Sequence, residues 1–239
     1  MKKILLIAVL QLFIALAVVL YLVYNGYIWF NNPSEKDFPI RGIDISNHQG
    51  KIDWKKLKKE NFKFVYIKAT EGKDYKDQFF NENWKHAQEI GLHRGAYHFF
   101  TFGSTGQEQA KNFVESVPPE KGCLPPVIDL EFGGNSKKVP ERDKLRKELN
   151  DFIKVIQYTY KQDPIIYVTY DAYNSYLEGD YQDKKIWIRD ILKYPRIKDN
   201  RDWVIWQYCS RGRVGGVNGP TDLNVFKGSN SELKSLLSK

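Results

Sequence analysis

Asp129 and Glu131 stand two positions apart in the run Leu124-Pro125-Pro126-Val127-Ile128-Asp129-Leu130-Glu131-Phe132. Bounded by Pro-Pro and Gly133-Gly134, this short apolar run reads as a buried strand. Side chains i and i+2 of a strand share a face, so the two acids project together, roughly 6–7 Å apart at the backbone. Burying two acids on one apolar face costs free energy unless something uses them. Their mutual repulsion holds one protonated near neutral pH. A proton donor beside a charged partner is what cleavage of a glycosidic bond requires. The same pair also suits a strand end whose acids bind a loop or a lysine.

Further polar residues gather where other strand candidates end. Asp44 and Ser46 close Arg41–Ser46, Glu71 follows Phe64–Ala69, and Tyr97 and His98 lie in Arg94–Phe99. Tyr167 belongs to Ile165–Thr169, Arg189 and Asp190 follow Ile186–Ile188, Trp206 and Gln207 end Trp203–Gln207, and Asp222 opens Asp222–Phe226. Amphipathic stretches predict helices over Asp53–Lys59, Asp77–Ile90, Thr105–Glu115 and Glu141–Lys161, the last set between Pro140 and Pro164. Strands alternating with helices predict parallel βα units closed into an α/β barrel. Later helices are short or missing, so the barrel is expected to be irregular. Functional groups of such a barrel collect at the C-terminal strand ends, where these polar residues fall.

The order of these motifs resembles family 25 of the glycoside hydrolases, the Chalaropsis-type muramidases. The segment Gly42-Ile43-Asp44-Ile45-Ser46-Asn47-His48-Gln49-Gly50 is similar to the family's D-x-S-x-x-Q-G opening. Lys68-Ala69-Thr70-Glu71-Gly72, Gly95-Ala96-Tyr97-His98-Phe99, the D-x-E at 129–131, Trp206-Gln207-Tyr208 and Asp222-Leu223-Asn224 follow in the family's order. The resemblance runs from about Arg41 to Phe226. It implies a lysozyme that hydrolyses the β-1,4 bond between N-acetylmuramic acid and N-acetylglucosamine in peptidoglycan, in cell wall remodelling or lysis. It implies Glu131 as proton donor, with Asp129, Asp44 and Asp222 as the other catalytic acids. In one place the chain departs from its relatives. They usually carry Trp-Ile-Ala at the sixth strand, whereas Arg189-Asp190 follows Trp187-Ile188 here.

Tyr97, Tyr167 and Gln207 are the expected sugar or intermediate-stabilising contacts. Trp206 is a candidate wall of the cleft, and Glu71 and Asp190 candidate substrate contacts. His48 and His98 are expected to be structural, and Trp54, Trp84 and Trp203 to be core. Asp129 acts either as a direct nucleophile or by orienting the substrate's acetamido group, with retention of configuration. Cys123 precedes its strand and Cys209 follows its own, so opposite ends of the barrel keep both as free thiols.

The chain has 239 residues, 15% of them aromatic, and 37 basic against 29 acidic residues. The excess of positive charge favours an anionic partner such as a bacterial wall. The basic residues are dispersed and no nucleic-acid motif occurs, so nucleic acid is not expected as a partner. Four His without H-x-H or H-x-x-x-H spacing give no reason to expect a metal, and no cofactor motif is present. A chitinase would show D-x-D-x-E, but Val127 occupies the first Asp position. The rival from another class is a non-catalytic peptidoglycan-binding barrel, which would be expected to have lost an acid.

Ile4 to Tyr24 is almost wholly apolar and spans about 31 Å as a helix, the thickness of a bilayer core. Lys2 and Lys3 precede it, Tyr21, Tyr24, Tyr27 and Trp29 form an aromatic belt, and no Ala-x-Ala site follows. These features predict a retained membrane anchor over 1–30, with the N-terminus cytoplasmic and the remainder outside, periplasmic or extracellular. A linker over 31–37 and a catalytic barrel over 38–239 follow, in a monomer with no wall-binding module after Phe226.

Overall fold

The computed structural model describes residues 2–135 and 138–239. Its sheet contains β1 (Arg41–Ile45), β2 (Phe64–Glu71), β3 (Tyr75–Lys76), β4 (His93–Phe99), β5 (Val127–Leu130), β6 (Ile165–Val168), β7 (Lys185–Arg189), β8 (Ile205–Gly212) and β9 (Thr221–Phe226). The strands run in the order β1-β9-β8-β7-β6-β5-β4-β2-β3, and pairing of β1 with β2 closes eight of them into a barrel. The helices are α1 (Lys2–Tyr24), α2 (Trp54–Leu57), α3 (Phe80–Glu89), α4 (Gly106–Ser116), α5 (Arg142–Tyr160), α6 (Tyr170–Ala172, continuing as a wide turn over Tyr173–Leu177) and α7 (Asn230–Ser235).

The α/β barrel expected from the sequence is present, with two differences. β9 is antiparallel to both β1 and β8. β8 extends to Gly212, so only eight residues separate it from β9. A parallel return needs a crossover of a dozen or more residues, and a connection this short permits only a hairpin. β3 was not anticipated either: it is a two-residue strand that folds back antiparallel on the end of β2.

Alternation along the strands builds two cores. Facing inward, Phe64, Tyr66, Val127, Ile165, Trp187, Ile205 and Phe226 fill the lower barrel, joined by Leu233 of α7. Facing outward, Ile43, Val65, Ile128, Leu130, Ile166, Ile188 and Val225 pack with Trp84 of α3, Phe113 of α4 and Leu149, Phe152 and Ile156 of α5. Each fully buried aliphatic or Phe side chain contributes about 1.5–3 kcal/mol. Two glycines make the interior rings possible. A Cβ on Gly95 would sit 2.2 Å from the Tyr66 ring, and one on Gly42 would sit 2.5 Å from Phe64.

Trp54, Trp84 and Trp203 are buried in the outer core, as expected. Both cysteines are buried and free; burial pushes each thiol's pKa up. No residue of the α1 helix is buried. Past its end, Gly26 lies flush on the Arg211 carbonyl, where a Cβ would come within 1.6 Å. The Arg211 guanidinium donates to the Tyr24 carbonyl, and Arg213 Nε to the Asn25 carbonyl. The stretch read as a linker, 31–37, also touches the barrel. Asn31 Nδ2 donates to the Asp190 and Lys193 carbonyls, and Arg41 to that of Pro33.

Candidate active site

Because β9 runs opposite to its neighbours, its first residues lie at the mouth where the other strands end. Asp222 therefore pairs directly with Asp44 in register. Asp129 is the third residue of β5, and Glu131 follows the strand by one residue rather than lying inside it. All four acids line one cleft of about 650 Å³, together with Glu71, Tyr97, Tyr167, Trp187, Arg189 and Gln207. Segments separated by up to 178 positions in the chain thus meet at one mouth.

Asp44 is fixed by a network. Its Oδ2 accepts from Asn224 Nδ2 at 2.7 Å and from Gln207 Nε2 at 3.1 Å. Asn224 Oδ1 accepts in turn from Trp187 Nε1 at 2.9 Å, and Gln207 Oε1 from the Tyr167 hydroxyl at 2.9 Å. Burial raises the Asp44 carboxyl to about 6, although these donors and Arg189 oppose the rise. The opening motif supplies the surrounding loop. Ser46 caps the turn Asn47–Gln49, the Ser46 N–H donates to Gln49 Oε1, and Gln49 Nε2 donates to the Pro220 carbonyl. That last bond ties the end of β1 to the start of β9, keeping Asp44 beside Asp222.

Asp129 has a different environment. Its Oδ1 is buried and has no hydrogen-bond partner in the protein. Burial raises its pKa well above the ordinary carboxylate value, and the charges of Glu131, Asp44 and Asp222 add to the rise. Glu131 is raised chiefly by burial, with Arg189 opposing. Asp222 is raised well above normal by burial and by Asp44. Four carboxyls this close do not ionise together, so the cleft retains protons near neutrality. The direction is upward for all four.

The other expected contacts divide. Tyr97, Tyr167, Gln207 and Glu71 line the cleft. Tyr167 and Gln207 have polar atoms committed to each other and to Asp44, so they orient the acid. Glu71 Oε2 accepts from Lys68 Nζ at 2.6 Å. Trp206 and Asp190 are not in the cleft. Trp206 is buried in the outer core, its indole N–H donating to the Asp190 carbonyl. Gln207 faces inward, so its neighbour on the strand must face outward. Asp190 instead closes the turn after β7: Oδ1 accepts from the Leu192 and Lys193 N–H groups, and Oδ2 from the Tyr170 hydroxyl.

His98 is structural, as expected. Gln109 Oε1 can only accept, so His98 Nε2 carries the proton, and Nδ1 accepts from Thr70. Burial lowers its pKa to about 3, keeping the ring neutral. His48 lies on the cleft rim. Sequence reasoning missed Lys68, Trp187 and Arg189 as cleft residues. Lys68 shares a face with Tyr66, and Trp187 with Arg189, by their spacing of two, but that this face points inward is given by the fold and not by the spacing. No group of three or more His, Cys, Asp or Glu among the described residues is arranged to hold a metal ion.

A βα barrel whose mouth gathers one fixed carboxyl, one unpartnered buried carboxyl and two more of raised pKa is built for acid-assisted hydrolysis of sugar linkages. Comparison with known proteins agrees: the model of "Glycosyl hydrolases family 25" matches residues 43–217. The structure of a family 25 glycosyl hydrolase from Bacillus anthracis is 40% identical, with a TM-score of 0.81 over 86% of this chain and 96% of that one. Lysozyme M1 of Streptomyces globisporus is 34% identical, covering 82% of this chain and 71% of that protein. The uncharacterized protein YegX of Escherichia coli K12 is 35% identical over 84% of this chain and 74% of its own length. The chain belongs to glycosyl hydrolase family 25.

Proposed function

We infer that the chain is a peptidoglycan muramidase that cleaves the β-1,4 bond between N-acetylmuramic acid and N-acetylglucosamine. The observation that carries this reading is the meeting of Asp44, Asp129, Glu131 and Asp222 in one cleft. A barrel that only bound glycan would gain nothing from four acids that burial penalises.

In the reaction, Glu131 enters protonated and donates its proton to the glycosidic oxygen as the C1–O bond breaks. The substrate's acetamido oxygen attacks C1 from the opposite face. Asp129 Oδ1, without a partner in the protein, accepts the acetamido N–H and stabilises the positive charge that develops there. The Tyr97 hydroxyl, which lines the same cleft, stabilises the cyclic intermediate. Glu131, now ionised, then takes a proton from water as that water attacks C1 and reopens the ring. Two displacements at C1 give net retention. Proton NMR of muropeptide oligomers during the first minutes of hydrolysis is expected to show the β-anomer before mutarotation. Initial appearance of the α-anomer would exclude this route.

The barrel acts as a monomer on glycan strands close to the membrane, with α1 crossing the bilayer, its N-terminus cytoplasmic and the barrel on the outer face. Support comes from the 23-residue apolar helix and the absence of any buried residue along it. The Tyr24 carbonyl meets Arg211 near the C-terminal end of β8, so the anchor would leave the barrel on its mouth side. Full-length protein is expected to stay with membranes through alkaline carbonate extraction, and a chain starting at residue 38 to be released. Release of the full-length chain would refute the anchor.

A further inference from the structure

Arg189 ends β7 and pairs in register with Gln207 of β8. It shares the inward direction of Trp187 and lines the cleft with Asp44, Glu131 and Asp222. The other cleft cation, Lys68, is engaged with Glu71 and lies over the Phe99 and Tyr75 rings. The Arg189 guanidinium, by contrast, has no hydrogen bond or ion pair among the described residues. Nor is any of its nitrogens among the buried atoms lacking a partner, so its donors are open to the cleft.

A neutral sugar gives no reason to keep an unpaired guanidinium beside the reacting acids. An arginine fork is matched to a carboxylate, which it binds with two parallel N–H···O bonds. The muramyl sugar differs from its glucosamine neighbour by a lactyl ether ending in a carboxyl group. That carboxyl is free where the stem peptide has been removed and amidated where it remains; the peptide then carries carboxylates of its own. We propose that Arg189 is a specificity-determining residue that binds a carboxylate of the muramyl unit and so selects among peptidoglycan strands by the state of that group. The inference rests on the muramidase reading. Arg189 also lowers the carboxyl pKa of Asp44, Glu131 and Asp222, so a rival role through the acids must be separated from it.

Three ligands separate the possibilities: a peptide-free muramyl oligomer, its lactyl methyl ester, and the oligomer with intact stem peptides. Affinity is measured by calorimetry in the Glu131→Gln background, where the ligand survives, and kcat/KM in the active enzyme. A charge-assisted hydrogen bond contributes about 1.5–3 kcal/mol, or roughly 10–100-fold. The peptide-free acid is expected to bind about 10–100-fold more tightly than its ester. Arg189→Ala is expected to remove that ratio while leaving ester binding unchanged, and Arg189→Lys to restore part of it. If the preference follows the stem peptide instead, the peptide carboxylate is the group being bound. Equal affinity for acid, ester and peptide-bearing forms in the parent would overturn the proposal. So would an Arg189→Ala effect confined to the pH profile of kcat and equal on every substrate. Because the affinity ratio needs no turnover, a failure of the muramidase reading would appear separately, as missing hydrolysis.

Discussion

Glu131→Gln is expected to lower kcat on peptidoglycan by about a thousandfold, within the usual range for losing a general acid, while the melting temperature stays within a few degrees. The amide has the shape of the acid but cannot give up a proton. The side chain lies at the cleft rather than in either core, and its carboxyl makes no hydrogen bond or ion pair among the described residues. No packing or internal bond should therefore be lost. Steady-state release of reducing ends, paired with thermal melting, checks both parts. A loss below about tenfold would mean that another group delivers the proton.

Asp129→Asn is expected to lower kcat by about a hundredfold or more and, at neutral pH, to raise stability. The activity loss follows because a neutral amide cannot balance the positive charge on the acetamido group in the transition state. The stability gain follows from linkage. Burial and three neighbouring acids raise the Asp129 pKa in the folded protein. The ligand-free folded state therefore prefers the protonated form, whereas the positive charge developing on a bound acetamido group favours the carboxylate. Relative to the variant, the parent loses stability as pH rises toward and through that raised pKa. Below the ordinary carboxylate pKa of about 3.9 both folded and unfolded chains hold the proton, and the difference disappears. Melting curves at pH 3.5 and 7.5 test this: a gain at 7.5 that is absent at 3.5 agrees. A destabilised variant at 7.5 would mean that the charge on Asp129 supports the fold. The same reasoning applies to Asp44, whose carboxyl is raised to about 6: its cost accrues as pH rises from the ordinary carboxylate value to about 6 and is complete above it.

Much of this architecture is legible in the amino-acid order because the barrel repeats one local rule. Apolar runs separated by amphipathic stretches located the eight barrel strands, and the polar residues at their ends located the mouth. The face that each side chain takes was harder to see. Strands of a barrel are buried on both sides, so hydropathy does not alternate along them. Trp206 and Gln207 both suit a cleft by residue type, although neighbours on a strand point oppositely. Taking Gln207 as inward sends Trp206 outward, whereas on β7 only the fold decides between Asp190 and the Trp187–Arg189 pair. Asp190 failed for the same reason, since Arg189 takes the inward position. The two-residue strand Tyr75–Lys76 is too short to carry a periodic signal.

The direction of β9 explains a feature that otherwise looks misplaced. In a parallel strand, an acid at the opening residue would lie at the floor of the barrel. Reversal of the strand brings Asp222 to the mouth and into register with Asp44. The length of the preceding connection, which becomes clear only once β8 is known to reach Gly212, decides this.

If these converging acids act as proposed, they cut one particular bond of the wall glycan. Digesting purified peptidoglycan, reducing the new sugar ends with borohydride and identifying them by mass spectrometry tests it most directly. Reduced muramic acid at every new end, absent after treatment with the Glu131→Gln form, is the predicted result. Reduced glucosamine at those ends, or muramic acid ends that persist with the variant, would contradict it.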